Sequence, residues 1–357
     1  MLKYKWKLVI AGMAAMTVLL AGCTNERLED ELAYREIGIN SMQSGDYEGA
    51  IAAFDSALSK CVGGIGATEV DICYYKAASL YANGDIDGAM QTYKALIDYD
   101  SQEGNAYYLR GCLKLEQGDG DGAVSDFDNA VKYNSDDYQL YVSIYENLCG
   151  TNMKEKGEEY LNKAFKIKGN TAEDLCQRGR IYYLLGQYDN ASEELLAAID
   201  KKSAQANLYL AQTCEAQGDT QSAENYYQAY VASGVADSVA MNALAEIEIA
   251  KENYAGALDY LKKGLAMDQV TNQRDLLANQ IIAYEYTGDF NAAWSVAQQY
   301  IKLYPDDAAV QREYIFLKNR QTADTGNTPE DTKGADTGKE SIESVTTETD
   351  TQQTDTQ

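Results

Sequence analysis

The chain has 357 residues, with 56 acidic and 30 basic side chains, no histidine and two prolines. Without histidine there is no Ser-His or Cys-His nucleophile and no histidine general base. A formal charge of −26 repels nucleic-acid phosphates and makes anionic wall polymers poor ligands, leaving basic or largely apolar partners.

Residues 1–22 stand apart from the rest. Lys3, Lys5 and Lys7 form a positive start, Leu8 to Leu19 is apolar except for Thr17, and Leu20-Ala21-Gly22-Cys23 follows. The charged start and short apolar run read as a secretory signal, too short for a comfortable membrane span. Leu20-Ala21-Gly22-Cys23 resembles the bacterial lipobox. That resemblance implies a lipoprotein: cleavage before Cys23, a thioether from its sulfur to a diacylglyceryl group, and a membrane anchor on the extracytoplasmic face. Two acyl chains give stable anchoring where one holds only marginally. The other reading is an uncleaved anchor helix with an incidental cysteine. The mature form then carries −29, because residues 1–22 hold three lysines and no acid. Residues 24–30 read as a polar tether spanning at most about 25 Å.

A pattern then recurs. Gly45-Asp46-Tyr47 is followed by Ala50, Phe54 and Ala57, and Gly118-Asp119-Gly120 by Ala123, Phe127 and Ala130. Similar turns begin at Gly84, Gly186, Gly218 and Gly288, with weaker copies at Asn152 and Glu252. Successive turns lie 39, 34, 34, 34, 32, 34 and 36 residues apart, so the chain is an array of eight units. Offsets of five, nine and twelve after the turn place small, large and small apolar residues on one helical face. Glycine suits a left-handed helix end, with Asn152 the next best residue in the fourth copy. The following Asp can cap a second helix. Each unit therefore reads as helix, tight turn, helix, and pairs must stack to bury their apolar faces.

These units resemble the tetratricopeptide repeat family over roughly residues 30–305. Pro305 falls seventeen residues after Gly288, where the family often places a proline. Two departures stand out: Glu252 occupies the seventh turn, and no aromatic occupies position 297. The resemblance implies an all-α, right-handed superhelical solenoid over residues 31–305 whose concave side is lined by first helices. It implies protein or peptide binding. Residues 306–320, with Val310, Tyr314, Ile315 and Leu317, read as a closing helix. Residues 321–357 are rich in Thr, Asp, Glu and Gln and read as a disordered acidic tail. Residues 320–357 hold nine acids and three bases.

Cys61 and Cys73 flank a glycine-rich loop at the longest step. Outside the cytoplasm they can pair, closing a short loop worth about 3 kcal/mol. Alternatively Cys73 fills the place taken by Tyr34 and Tyr107 in neighbouring repeats, as a small buried hydrophobe. The remaining cysteines form no CxxC pair, so no metal site and no cofactor are expected. Lys154, Lys156, Lys163, Lys166 and Lys168 read as a solvated face of the fourth repeat, with an acidic partner, a lipid surface or the tail as alternatives.

The concave wall implied by the resemblance falls ten, six and three residues before each turn. This gives Arg35, Ile39 and Met42; Tyr74, Ala78 and Tyr81; Tyr108, Cys112 and Leu115; Val142, Glu146 and Cys149; and Cys176, Arg180 and Tyr183. Farther on, Gln212, Glu215, Glu246 and Glu285 make the wall acidic. Tyrosine combines a large apolar area with a polar tip, which suits a binding face. The family's Lys/Asn carboxylate clamp has no counterpart. An apolar or basic partner segment across repeats one to five is therefore expected, unless stacking buries the tyrosines between repeats. An envelope scaffold and a receptor for a soluble peptide both fit. A helical-toroid enzyme fits poorly, because no catalytic site is visible.

Overall fold

A helix that ends on a residue able to turn left-handed, followed at once by a capping side chain, folds back as a hairpin. In the computed structural model, which describes residues 26–61 and 64–324, this yields seventeen helices and no strand among the described residues. The first three hairpins pair α1 (Glu26–Ser44) with α2 (Tyr47–Lys60), α3 (Ala67–Ala82) with α4 (Ile86–Tyr99), and α5 (Gly104–Glu116) with α6 (Gly120–Tyr133). The next two pair α7 (Tyr138–Cys149) with α8 (Lys154–Ala164), and α9 (Ala172–Leu184) with α10 (Tyr188–Asp200). Then follow α11 (Gln205–Ala216) and α12 (Thr220–Ala232), α13 (Ser238–Ala250) and α14 (Tyr254–Leu265), and α15 (Gln273–Tyr286) and α16 (Phe290–Leu303). A closing helix, α17 (Ala308–Asp324), ends the described chain. The array divides into two compact units after Tyr226, so α12 runs across the division.

The turns follow the expected chemistry with one exception. Six turn glycines, Gly45 to Gly288, have φ between +71° and +88°. Glu252 takes the same conformation, with φ +61°, at the steric cost that any side chain pays there. Asn152 does not. The fourth turn spans residues 150–153, whereas the others need two or three residues, and the extra length reverses the chain without a left-handed residue. Asp46, Asp85, Asp119 and Asp289 cap the second helices, accepting backbone N–H bonds of 3.0, 2.8, 2.9 and 3.0 Å.

The packing inside each hairpin sets a small residue on the first helix against a large one on the second. A β-carbon on Gly38 would lie 2.5 Å from the Phe54 ring, and one on Gly111 would lie 2.7 Å from Phe127. Gly179 meets Leu195 in the same way. Two repeats redistribute the volume. In repeat four Tyr145 stands where six other repeats have Gly or Ala, and Gly157 faces it; a β-carbon there would lie 3.0 Å from the Tyr145 ring. In repeat eight Ile281 is buried together with Ala297 in one core. The missing aromatic at 297 is thus matched by a larger residue on the first helix.

Two boundaries differ from expectation. Residues 26–30, read as tether, form the first turn of α1. They hold no helix breaker, and Glu26 and Glu29 suit a helix N-terminus. At the other end α17 continues to Asp324, four residues beyond the expected end. No described helix is long and apolar enough to cross a membrane. The apolar run before Cys23, Cys23 itself and residues 325–357 lie outside the described residues.

The size exchange in repeat eight can be installed in repeat three. Gly111→Ile alone should destabilise by about 1–3 kcal/mol or more through overpacking, and Phe127→Ala alone by about 3–5 kcal/mol. Together they should cost less than the sum, with a coupling of about 0.5–3 kcal/mol in denaturant unfolding. Strict additivity contradicts this packing.

Candidate functional site

The expected concave strip separates in the structure into buried and half-exposed positions. Met42, Cys112, Val142 and Cys176 are buried and belong to the core rather than to a binding face. Met42 packs with Phe54 and Tyr75, and Val142 and Cys112 join the core of repeats three and four. These first helices are gripped by both their own second helix and the next repeat, which removes the row ten residues before the turn from solvent in repeats four and five. Ile39, Ala78, Leu115, Arg35, Arg180 and the four tyrosines stay partly accessible.

The tyrosines have two roles at once. Tyr74 lies against the Tyr93 ring with centroids 6.1 Å apart and donates its hydroxyl to Glu103 at 2.8 Å. Tyr108 lies against Phe127, 6.0 Å away, and its hydroxyl accepts from Asn147 Nδ2 at 3.0 Å. In each case the ring sits in its own repeat while the polar tip reaches the next one. Burial, and then the neighbouring Glu103, drives the Tyr74 phenol well above its ordinary value. Burial does the same to Tyr108, so both stay neutral donors or acceptors. Burial and Glu116 push Tyr81 up to about 12. Tyr183 packs on Tyr188, with centroids 6.1 Å apart. Stacking between repeats therefore claims the tips of Tyr74 and Tyr108, while all four tyrosines stay partly accessible as residues.

The strip's two arginines are engaged within the fold. Arg35 forms an ion pair of 2.5 Å with Asp71 and lies over the Tyr75 ring at 5.4 Å. Arg180 donates to Gln139 at 2.8 Å, pairs with Glu146 at 3.4 Å and lies over Tyr209 at 5.4 Å. Neither presents a bare guanidinium to a carboxylate. Similar bridges lie off the strip: Arg110 forks onto the buried Asp126 at 2.8 and 2.7 Å, and Arg178 pairs with Glu194 at 2.9 Å. Lys154, Lys156 and Lys163 pair with Glu158, Glu159 and Asp128, so three of the five lysines of repeat four are matched locally.

In the second unit, Glu246 accepts from Asn242 at 2.7 Å and from Asn279 at 3.0 Å. Glu285, three residues before its turn, hydrogen-bonds Glu313 of α17. Burial first, and then the Glu313 carboxylate, push Glu285 up to about 9. The shift favours the protonated carboxyl at this position of the wall.

Cys61 and Cys73 are free thiols. Cys61 Sγ donates to the Gly64 carbonyl at 3.3 Å. Cys73 is half-buried and packs against the core of repeats two and three beside Tyr74. Cys23 lies outside the described residues. An open cleft of about 480 Å³ at the fifth turn, lined by Gly186 to Asn190 and Gln217, shares no residue with the strip.

The tetratricopeptide repeat model matches residues 35–106, 176–238 and 215–270. Most of repeat three and all of repeats four and eight lie outside these stretches. No curated protein matches the sequence. Among solved structures, the chain is similar to a tetratricopeptide repeat protein from Parabacteroides merdae, at 14% identity and TM-score 0.46, over 82% of this chain and 100% of that one. It is similar to an IFIT1 monomeric mutant with m7Gppp-AAAA, at 15% identity and TM-score 0.50, over 82% and 73% of the two chains. A third match is PilW, a type IV pilus biogenesis factor, at 18% identity and TM-score 0.39, over 54% and 91%. At these identities the likeness concerns fold: an all-α repeat array of tetratricopeptide type.

Two outcomes follow from this geometry. Tyr108→Phe should keep the ring packing and lose the bond from Asn147, at about 0.5–1.5 kcal/mol in unfolding free energy. A change as large as that of a core truncation contradicts the hydroxyl's bridging role. Glu285 keeps its proton in the folded state where the unfolded chain has released it, so its contribution to stability falls as pH rises from about 4.5 to about 9. Glu285→Gln should flatten that fall in the thermal midpoint over this range. An unchanged slope contradicts the assignment.

Proposed function

We propose that this protein is a lipid-anchored, extracytoplasmic scaffold that holds an apolar or basic segment of a partner protein along the first helices of repeats one to five. The observation that carries the reading is the strip itself. Ile39, Tyr81, Leu115 and Tyr183 offer accessible apolar area, whereas Arg35 and Arg180 are already matched by Asp71, Gln139 and Glu146. Such a surface gains little from an acidic terminus, because accepting one means breaking ion pairs that exist. It gains from apolar side chains laid against tyrosine. The net charge of −26 favours a basic partner at long range.

Anchoring is supported by Lys3, Lys5 and Lys7, the apolar run and Leu20-Ala21-Gly22-Cys23. With α1 starting at Glu26, only two residues separate Cys23 from the first helix, so an acylated Cys23 holds repeat one at the membrane surface. The scaffold reading is preferred to a soluble-peptide receptor because a tether this short limits the first repeat to partners at that surface.

Cys23→Ser should leave the precursor uncut or release the protein from the detergent phase; unchanged processing and partitioning contradicts the anchor. A photoreactive residue at Tyr81 or Leu115 should capture envelope proteins in whole cells, and the same probe at the second-helix residue Lys94 should not. Equal capture at all three positions, or capture at Lys94 alone, contradicts the strip.

A further inference from the structure

The closing helix α17 is held firmly by one face and bare on another. Leu317 is fully buried, and Tyr314 stacks on Trp294 with centroids 4.6 Å apart. Its N-terminus is fixed by Asp307, which accepts from Tyr300 at 2.7 Å and from Arg274 at 2.5 Å. On the other side Ile315 and Phe316 remain 55% and 51% exposed. Arg312 lies three and four residues before them, and Lys318 lies three residues after Ile315, so these cations border the apolar pair. Neither Arg312 nor Lys318 has an ion-pair partner among the described residues. The end of an array calls for a polar outer face, and Ile315 and Phe316 break that rule.

What covers this patch can be argued from charge and reach. A second copy pairing symmetrically would bring the same Arg312 and Lys318 patches together. The chain's own remainder has the complementary character. Residues 325–357 hold eight acids and two bases, and their only large aliphatic side chains are Ile342 and Val345, flanked by Glu340, Glu343 and Glu348. From Asp324 to Ile342 an extended chain can span roughly 60 Å, whereas Phe316 lies only about 12 Å back along the helix. Attachment to the same chain gives such a segment an effective concentration of about millimolar, which lets a small contact form.

We propose that residues 340–348 dock on this face of α17, setting Ile342 and Val345 on Ile315 and Phe316 and the glutamates against Arg312 and Lys318, and so complete the C-terminal cap. The test uses the full chain with Phe316→p-benzoylphenylalanine, irradiated and digested with trypsin. Cleavage after Lys339 releases residues 340–357 as one peptide. The expected result is a concentration-independent crosslink within one chain, from position 316 into residues 340–348. Its yield should fall at least about tenfold when Ile342→Asp and Val345→Asp are combined, with the helical content of the double variant checked to match the parent chain. Crosslinks joining two copies, crosslinks to other segments, absence of any tail crosslink, or an unchanged yield in the double variant each overturn the proposal.

Discussion

The structure depends on one contact repeated along the chain: in six of the eight hairpins a small residue on the first helix receives a large one from the second. Gly38 beneath Phe54, Gly111 beneath Phe127 and Gly179 beneath Leu195 let the helices approach until a single added carbon would collide with a ring or a leucine branch. That closeness fixes the rotation of both helices. It commits one stripe of the first helix to its partner, and the stripe beside it then faces the next repeat or solvent. Where a large residue stands on the first helix, as with Tyr145 and Ile281, a smaller one stands opposite it on the second, Gly157 or Ala297. Packing of this kind tolerates exchange of size more readily than change of total volume.

The hairpins, their number and their turns were legible in the sequence because each repeats a local rule: a left-handed residue, a cap, and apolar residues at fixed helical offsets. Glu252 shows the rule dominating residue preference, for it adopts φ +61° in the place of glycine. Asn152 shows the limit, because one more residue in the turn offers another way round. The start of the first helix lies earlier than polarity suggests, for a related reason. Nothing in Leu28 to Glu31 breaks a helix, so polarity alone did not mark a tether.

The strip was only partly legible. Offsets place a residue on a helical face, but burial depends on how the next repeat leans against that face. This is why Met42, Cys112, Val142 and Cys176 are core while Tyr81 and Leu115 are not. The bonds that tie neighbours together, Tyr74 to Glu103, Asn147 to Tyr108 and Arg180 to Glu146, join residues 29, 39 and 34 apart. Those separations lie near the repeat step, which was the available signal. The raised pKa of Glu285 was beyond reach, since it comes first from burial and then from Glu313 of α17, both set by tertiary packing.

On the strip, the two arginines are matched within the array, and the accessible side chains that remain are largely apolar and aromatic. The central claim is that a partner segment occupies the first helices of repeats one to five. Hydrogen–deuterium exchange of the intact chain, alone and with its captured partner, tests it directly. The account predicts added protection in α1, α3, α5, α7 and α9, with α2, α4, α6, α8 and α10 unchanged. Protection gained on the second helices, or confined to repeats beyond the fifth, would contradict it.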